Sequence, residues 1–174
     1  MKEIIALIEQ IIEEHKVFIQ QVKGLEQAAN DASVMAHLDK AKKEFVPGRL
    51  RQRNELKNLS ESLEIIDRGI RAHFHREETR LLDATEKYAG EELSSALRAL
   101  LVQHDDLRNR LDKTATHIAD LTGGKMSHFI WQSTAHDMQA YVAHTRRILE
   151  AHNETEQGIL HRLRAMLLKE GTGE

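Results

Sequence analysis

The sequence predicts an all-α protein, an up-down-up-down antiparallel four-helix bundle, and three observations carry that expectation. Strong helix formers (Leu, Ala, Glu, Lys, Gln and Arg) dominate a chain of 174 residues that has one proline and 4% aromatic residues. Apolar side chains recur at alternating spacings of three and four along four long stretches, the period of a helix face turned toward a core. Mostly short connections separate these stretches, which suits helices that fold back on one another.

The first stretch runs from about Lys2 to Ala29 and places Ile4, Ile8, Ile11, His15, Phe18, Val22 and Leu25 on one seam. Asn30, Asp31 and Ser33 interrupt the pattern, and a short extra helix is expected after them, ending at Phe45 before Pro47 and Gly48. A long helix is then expected to reach about Tyr88, with Leu56, Leu59, Leu63, Ile66, Ile70, His73, Glu77 and Leu81 in an uninterrupted repeat. Gly90 stops it, and Glu91 and Glu92 suit the positive N-terminal end of the next helix. That third helix carries Leu93, Leu97, Leu100, His104, Leu107, Leu111, Thr114 and Ile118 in phase. Gly123 and Gly124 make the following turn, and Ser127 is a candidate N-cap. The last helix is read with Ile130, Tyr141, Ile148, His152, Glu156, Ile159 and Leu163 on its seam. Residues 1–170 are thus read as one domain, followed by a frayed tail over 171–174.

Composition narrows the chemistry. With no cysteine, disulfides, thiolate zinc sites and iron–sulfur ligation are excluded, so any metal must be held by imidazole and carboxylate. The 25 basic and 28 acidic residues are scattered without a basic stripe, which argues against a nucleic-acid partner. Glu3, Glu9, Glu13 and Glu14 make the opening segment unlike a signal peptide, and no apolar run approaches the roughly 20 residues of a membrane span. A cytoplasmic protein with no membrane partner is expected, its oligomeric state left open by charged helix faces. No phosphate-binding glycine loop or serine–histidine–acid arrangement is visible.

The distinctive feature is the placement of four histidines at core-facing positions of the four stretches: His15, His73, His104 and His152. Two of them are followed four residues later by a glutamate, Glu77 and Glu156, so the order lone His then HxxxE occurs twice. Residues four apart share a helix face at about 6 Å, so each pair can address one ion or a pair of ions. A lone seam histidine is most often a partly buried residue with a hydrogen-bond partner. A seam glutamate is different, because a buried carboxylate is costly unless it is paired or bound to metal. The bland alternative is a polar network with every member satisfied, inside a metal-free helical interaction module.

The other histidines act as a control. His75 points away from His73, His37 lies in the insert, and His117, His128, His136 and His161 have no acidic residue four positions on. His144 lies two turns before His152, about 12 Å along the axis, where it either supports the site from behind or sits on a solvated flank. No Glu-x-x-His occurs, which argues against a ferritin-type ligand set.

The strings EEHKVF around His15, AHFHREETRLL around His73, QHDDLRNRL around His104 and AHNETEQGILHRL around His152 resemble the hemerythrin-like (HHE cation-binding) family. The resemblance covers most of the chain apart from the insert. It implies two iron ions joined by an oxo or hydroxo bridge, one held by His15 and His73 and the other by His104 and His152, with Glu77 and Glu156 as carboxylate bridges. Manganese or zinc are less favoured, and the implied ligand is a small diatomic such as dioxygen or nitric oxide. Where oxygen-carrying members have HxxxH on the third helix, this chain has Arg108 four residues after His104, and its final carboxylate is spaced more closely. Arg108 is read either as turned inward to a bridging carboxylate or as extended to solvent. Phe18, Phe74, Ile70, Leu107 and Ile148 would form a dry shell around the ligands. Open coordination positions leave an alternative reading as a redox enzyme of peroxide or nitric oxide chemistry, or as a protein of iron handling.

Overall fold

The computed structural model describes residues 1–40, 50–123 and 126–172, with side chains at 1–31, 54–123 and 126–169. The described residues are helical throughout, with no strand: α1 (Lys2–Lys40), α2 (Leu50–Arg76), a π-helical turn (Glu77–Leu81), α3 (Leu82–Tyr88), α4 (Gly90–Leu101), α5 (Gln103–Thr122) and α6 (His128–Thr172). They make four rods: α1, α2 through α3, α4 with α5, and α6. No described helix is long and apolar enough to cross a membrane.

The expected seams of the second and third rods are buried along their whole length, from Leu56 to Leu81 and from Leu93 to Ile118. On α1 the seam is buried from Ile8 to Leu25, with Ile4 half-buried at its edge. Asn30, Asp31 and Ser33 do not end this helix, which continues to Lys40. The physical reason is visible at Asp31: its carboxylate accepts a hydrogen bond from Gln27 Nε2 at 3.0 Å, one turn back on the exposed face, and so does not cap a new helix. Phe45, Pro47, Gly48 and Gly124 lie outside the described residues.

The second rod changes pitch where none was expected, widening into a π-helical turn that begins at Glu77. Gly90 has φ +74°, the left-handed conformation that only glycine adopts without penalty, and there the rod turns into α4. The third rod changes helical register once, at Val102. Ser127 does cap α6: its hydroxyl lies 3.4 Å from Ile130 N and its carbonyl accepts from Trp131 N at 2.9 Å.

The seam read for the first half of α6 is corrected. Ile130 is exposed and Tyr141 and Ile148 are half-buried, while Trp131, Ala135, Met138, Val142, Thr145 and Leu149 face the core. The true seam is one position away and keeps the three-four alternation directly into His152, Glu156, Ile159 and Leu163. Trp131 anchors it by donating its indole N–H to Leu121 O at 3.0 Å. At the C-terminus α6 runs through Gly171 and Thr172, beyond the expected end at 170; residues 173–174 lie outside the described residues.

Cross-rod partners place the rods against each other. Glu9 meets Arg164 and Glu26 meets Arg146, so α1 and α6 pair in opposite numerical order. The same holds for the second rod with α5, through Arg71–Asp112 and Glu78–Arg108, and for α5 with α6, through Gln103–His152 and Leu121–Trp131. Burial then divides into two apolar cores. One contains Leu7, Ile8, Ile11, Leu81, Leu97 and Leu163, the other Phe18, Ile70, Phe74, Leu107, Trp131 and Leu149. A polar layer lies between them in sequence on every rod, flanked by Ile11 and Phe18, Ile70 and Leu81, Leu100 and Leu107, and Leu149 and Ile159.

Candidate metal centre

That layer consists of His15, His73, Glu77, His104, His152 and Glu156, none more than 5% exposed. All six seam residues singled out in the sequence therefore converge. Glu77 Oε1 lies 2.6 Å from His73 Nε2 and 3.5 Å from His15 Nε2, while its Oε2 lies 3.2 Å from His104 Nε2. Glu156 Oε2 lies 3.1 Å from His15 Nε2 and 3.7 Å from His152 Nε2. Glu77 thus connects His15 and His73 with His104, and Glu156 connects His15 with His152.

The ligand-type atoms form two overlapping groups that could each hold a metal ion, His15–His73–Glu77–Glu156 and Glu77–His104–His152, with the atoms of each group within 4.8 Å of one another. Glu77 belongs to both and Glu156 to one. Both oxygens of both carboxylates, together with His15 Nε2 and His73 Nε2, are buried without a hydrogen-bond partner despite these short separations. The atoms point toward shared centres instead of along each other's N–H directions. Six buried polar atoms, on four side chains, left so would be strongly unfavourable in a simple polar network, whereas a cation between them satisfies nitrogen lone pairs and carboxylate oxygens together.

Outward-facing nitrogens are held by residues that the sequence reading did not pick out. His73 Nδ1 lies 2.7 Å from Glu14 Oε2, His104 Nδ1 lies 2.8 Å from Glu78 Oε1, and His152 Nδ1 lies 3.2 Å from Gln103 Oε1. These oxygens can only accept, so an imidazole that donates its Nδ1–H outward presents the Nε2 lone pair to the centre, the tautomer a metal requires; without an ion, His104 Nε2 and His152 Nε2 lie 3.3 Å apart and share a proton between them. Glu14 is itself held by Arg76 at 2.6 Å and Gln10 at 2.8 Å. A regularity runs through these contacts: the residue next in sequence to a seam ligand on one rod serves the histidine of the neighbouring rod. No periodicity flags such flank positions, although EE in AHFHREETRLL did place Glu78 beside the motif.

The ion-free electrostatics are polarised. Burial alone would raise the Glu77 carboxyl, but the imidazoles of His104, His15 and His73 override it and hold it well below the usual carboxylate range. Glu156 goes the other way, raised by burial and by the negative charge of Glu77. Burial lowers His73, yet Glu14 and Glu77 reverse this and lift it to about 9. His152 is pushed down to about 4 by burial and then by His104.

The remaining candidates take distinct places. Phe74 is fully buried and stacks on His104 with ring centroids 3.8 Å apart, and it meets His152 edge-on at 6.0 Å. Phe18 meets His73 edge-on at 5.0 Å. Ile70 and Leu107 are buried as expected, and Ile148 is half-buried at the edge. Arg108 pairs with neither Glu77 nor Glu156: it donates to Glu78 at 2.5 Å and Asp105 at 2.9 Å, and its guanidinium lies 5.4 Å from the Phe74 ring centre. It therefore fixes the glutamate that orients His104. His144 is exposed and lines a surface groove with Lys113, His117, Asp137 and Tyr141, apart from the cluster. Compared with protein-family models, curated proteins and solved structures, the chain matches none.

Proposed function

We propose that the chain is a hemerythrin-like protein, an up-down-up-down four-helix bundle over 1–170 that holds two iron ions and binds or senses dioxygen or a related diatomic such as nitric oxide. The observation that carries this reading is the meeting, between two apolar cores, of six buried ligand-type side chains, four of which (His15, His73, Glu77 and Glu156) have inward atoms without a hydrogen-bond partner. Imidazole nitrogen with carboxylate oxygen suits iron or manganese and admits zinc, and the motif resemblance selects iron. Iron bound there would supply electrons to, or share them with, a small ligand.

The chain's own residues supply the rest. His15 and His73 would hold one ion and His104 and His152 the other, with Glu77 and Glu156 between them. Glu14, Glu78 and Gln103 orient the imidazoles, and Arg108 holds Glu78 in place. Phe18 and Phe74 keep water from the histidine rings. A void of about 10 Å³, lined by Val22, Ile70, Leu107, Leu111, Thr145 and Leu149, lies within the apolar packing that these ligand-flanking residues make. A cytoplasmic setting fits this chemistry.

The test is the absorption spectrum of iron-loaded protein before reduction, after reduction and after re-exposure to air. Near-ultraviolet bands that vanish and return support reversible binding. Bands that vanish and do not return place the protein with redox enzymes or iron handling, and folded protein that shows no such bands and binds no iron, manganese or zinc leaves a metal-free helical interaction module.

A further inference from the structure

His73, His104 and His152 each have a protein partner on the outward nitrogen, and His15 does not: its Nδ1 is buried and unpaired. By the regularity that supplies the other three, its partner should come from α6 beside His152. The residue there is Asn153, which is 7% exposed and has both side-chain polar atoms, Oδ1 and Nδ2, buried and unpaired. Three polar functions thus lack partners at one place. Both residues line a groove of about 440 Å³ between α1 and α6, walled by Ile12 and Ile19.

We propose that this groove is a binding site for a small uncharged hydroxylic molecule, whose oxygen bridges His15 Nδ1 and the Asn153 amide. One hydroxyl oxygen has two lone pairs and one proton. It accepts from His15 Nδ1–H and Asn153 Nδ2–H and donates to Asn153 Oδ1, satisfying all three. The isoleucine walls accommodate a short alkyl group, and a volume of this size is that of a small-molecule site. Anions are disfavoured because Glu154 lines the same groove, while Glu150 is paired with Arg146 and Lys23 and the Lys16 ammonium is engaged by Glu13 at 2.7 Å. The bound molecule acts as the missing outer partner of His15, so its occupancy sets the orientation and donor strength of that imidazole. The site is independent of which ion, if any, lies on the Nε2 side.

The test is nuclear magnetic resonance of the full chain with nitrogen-labelled histidine and asparagine, zinc being added to keep any bound ion diamagnetic. Titration with n-propanol is expected to shift His15 Nδ1 and the Asn153 amide saturably and leave His104 Nδ1 unmoved. Asn153→Leu should weaken that binding at least tenfold. Ile12→Trp, which fills the groove without touching the amide, should do the same and guards against misfolding of the first variant. If propanol has no effect but the Asn153 amide shows cross-peaks to a long-lived water, the outer partner of His15 is water and the proposed ligand site is overturned. Neither signal, or acetate binding as tightly as propanol, overturns the proposal.

Discussion

Replacing Glu156 by Gln should not cost the same as replacing Glu77 by Gln, although the two glutamates occupy matching positions in the two HxxxE motifs. Glu77 contributes to both ligand groups, whereas Glu156 belongs to the group containing His15 and His73. Glu156→Gln therefore leaves Glu77, His104 and His152 able to hold one ion, and Glu77→Gln removes a ligand from each. An ion present at 100 times its dissociation constant stabilises the fold by about 2.7 kcal/mol. The first variant is thus expected to forfeit about 3 kcal/mol of metal-linked stability and the second about 5 kcal/mol. For a chain of this size that corresponds to losses of roughly 5–12 °C and 10–20 °C in metal-dependent Tm. The assay is thermal unfolding with and without saturating metal, beside the metal content of each variant. Equal losses, or a larger loss for Glu156→Gln, would refute the assignment of Glu77 as the shared ligand.

Removing Glu78 by substitution with Ala takes the acceptor from His104 Nδ1 and should weaken metal binding about 10–100-fold, read by competition with a chelator. Phe74→Ala deletes a fully buried ring stacked on His104 and should cost about 3–5 kcal/mol in urea denaturation. A Cβ at Gly69 would lie 2.9 Å from Phe18 Cε1, so Gly69→Ala should destabilise by about 1–3 kcal/mol despite its better helix propensity, and adding Phe18→Leu should recover most of that. In metal-free protein His73 is raised to about 9, since Glu14 and Glu77 outweigh burial, so its contribution is complete below pH 6.5 and is lost as pH rises through 9. That contribution is on the order of 3 kcal/mol. Denaturation between pH 6 and 9.5 should show the decline, and Glu14→Gln should flatten it; a stability that climbs over this window contradicts the pairing.

What the sequence disclosed and what it concealed follow from the physics of periodicity. The seams of the second and third rods, and all six inward residues, lie at positions that a three-four repeat marks directly, so burial of His73 and Glu77 was legible beside Ile70 and Leu81. The first half of α6 was not: Ile130 and Tyr141 are as apolar as their neighbours, and the deciding residues, Ala135, Met138 and Thr145, are small or weakly marked. The continuation of α1 past Asn30 was hidden because a turn-favouring residue on an exposed face can bond along the helix, as Asp31 does. Glu14, Gln103 and Asn153 were invisible for another reason. They sit at seam edges; Glu14 and Gln103 meet histidines of other rods and Asn153 shares a groove with His15, and such relations between rods leave no local spacing to read. The π-helical turn at Glu77 likewise has no signature in the residues themselves.

The most direct measurement is the metal content of the chain after expression in iron-supplemented medium, compared with that of His15→Ala and His104→Ala. The account expects about two irons per chain in the wild type and fewer in both variants. Folded wild-type protein without bound iron, manganese or zinc, or variants that retain the wild-type content, would contradict it.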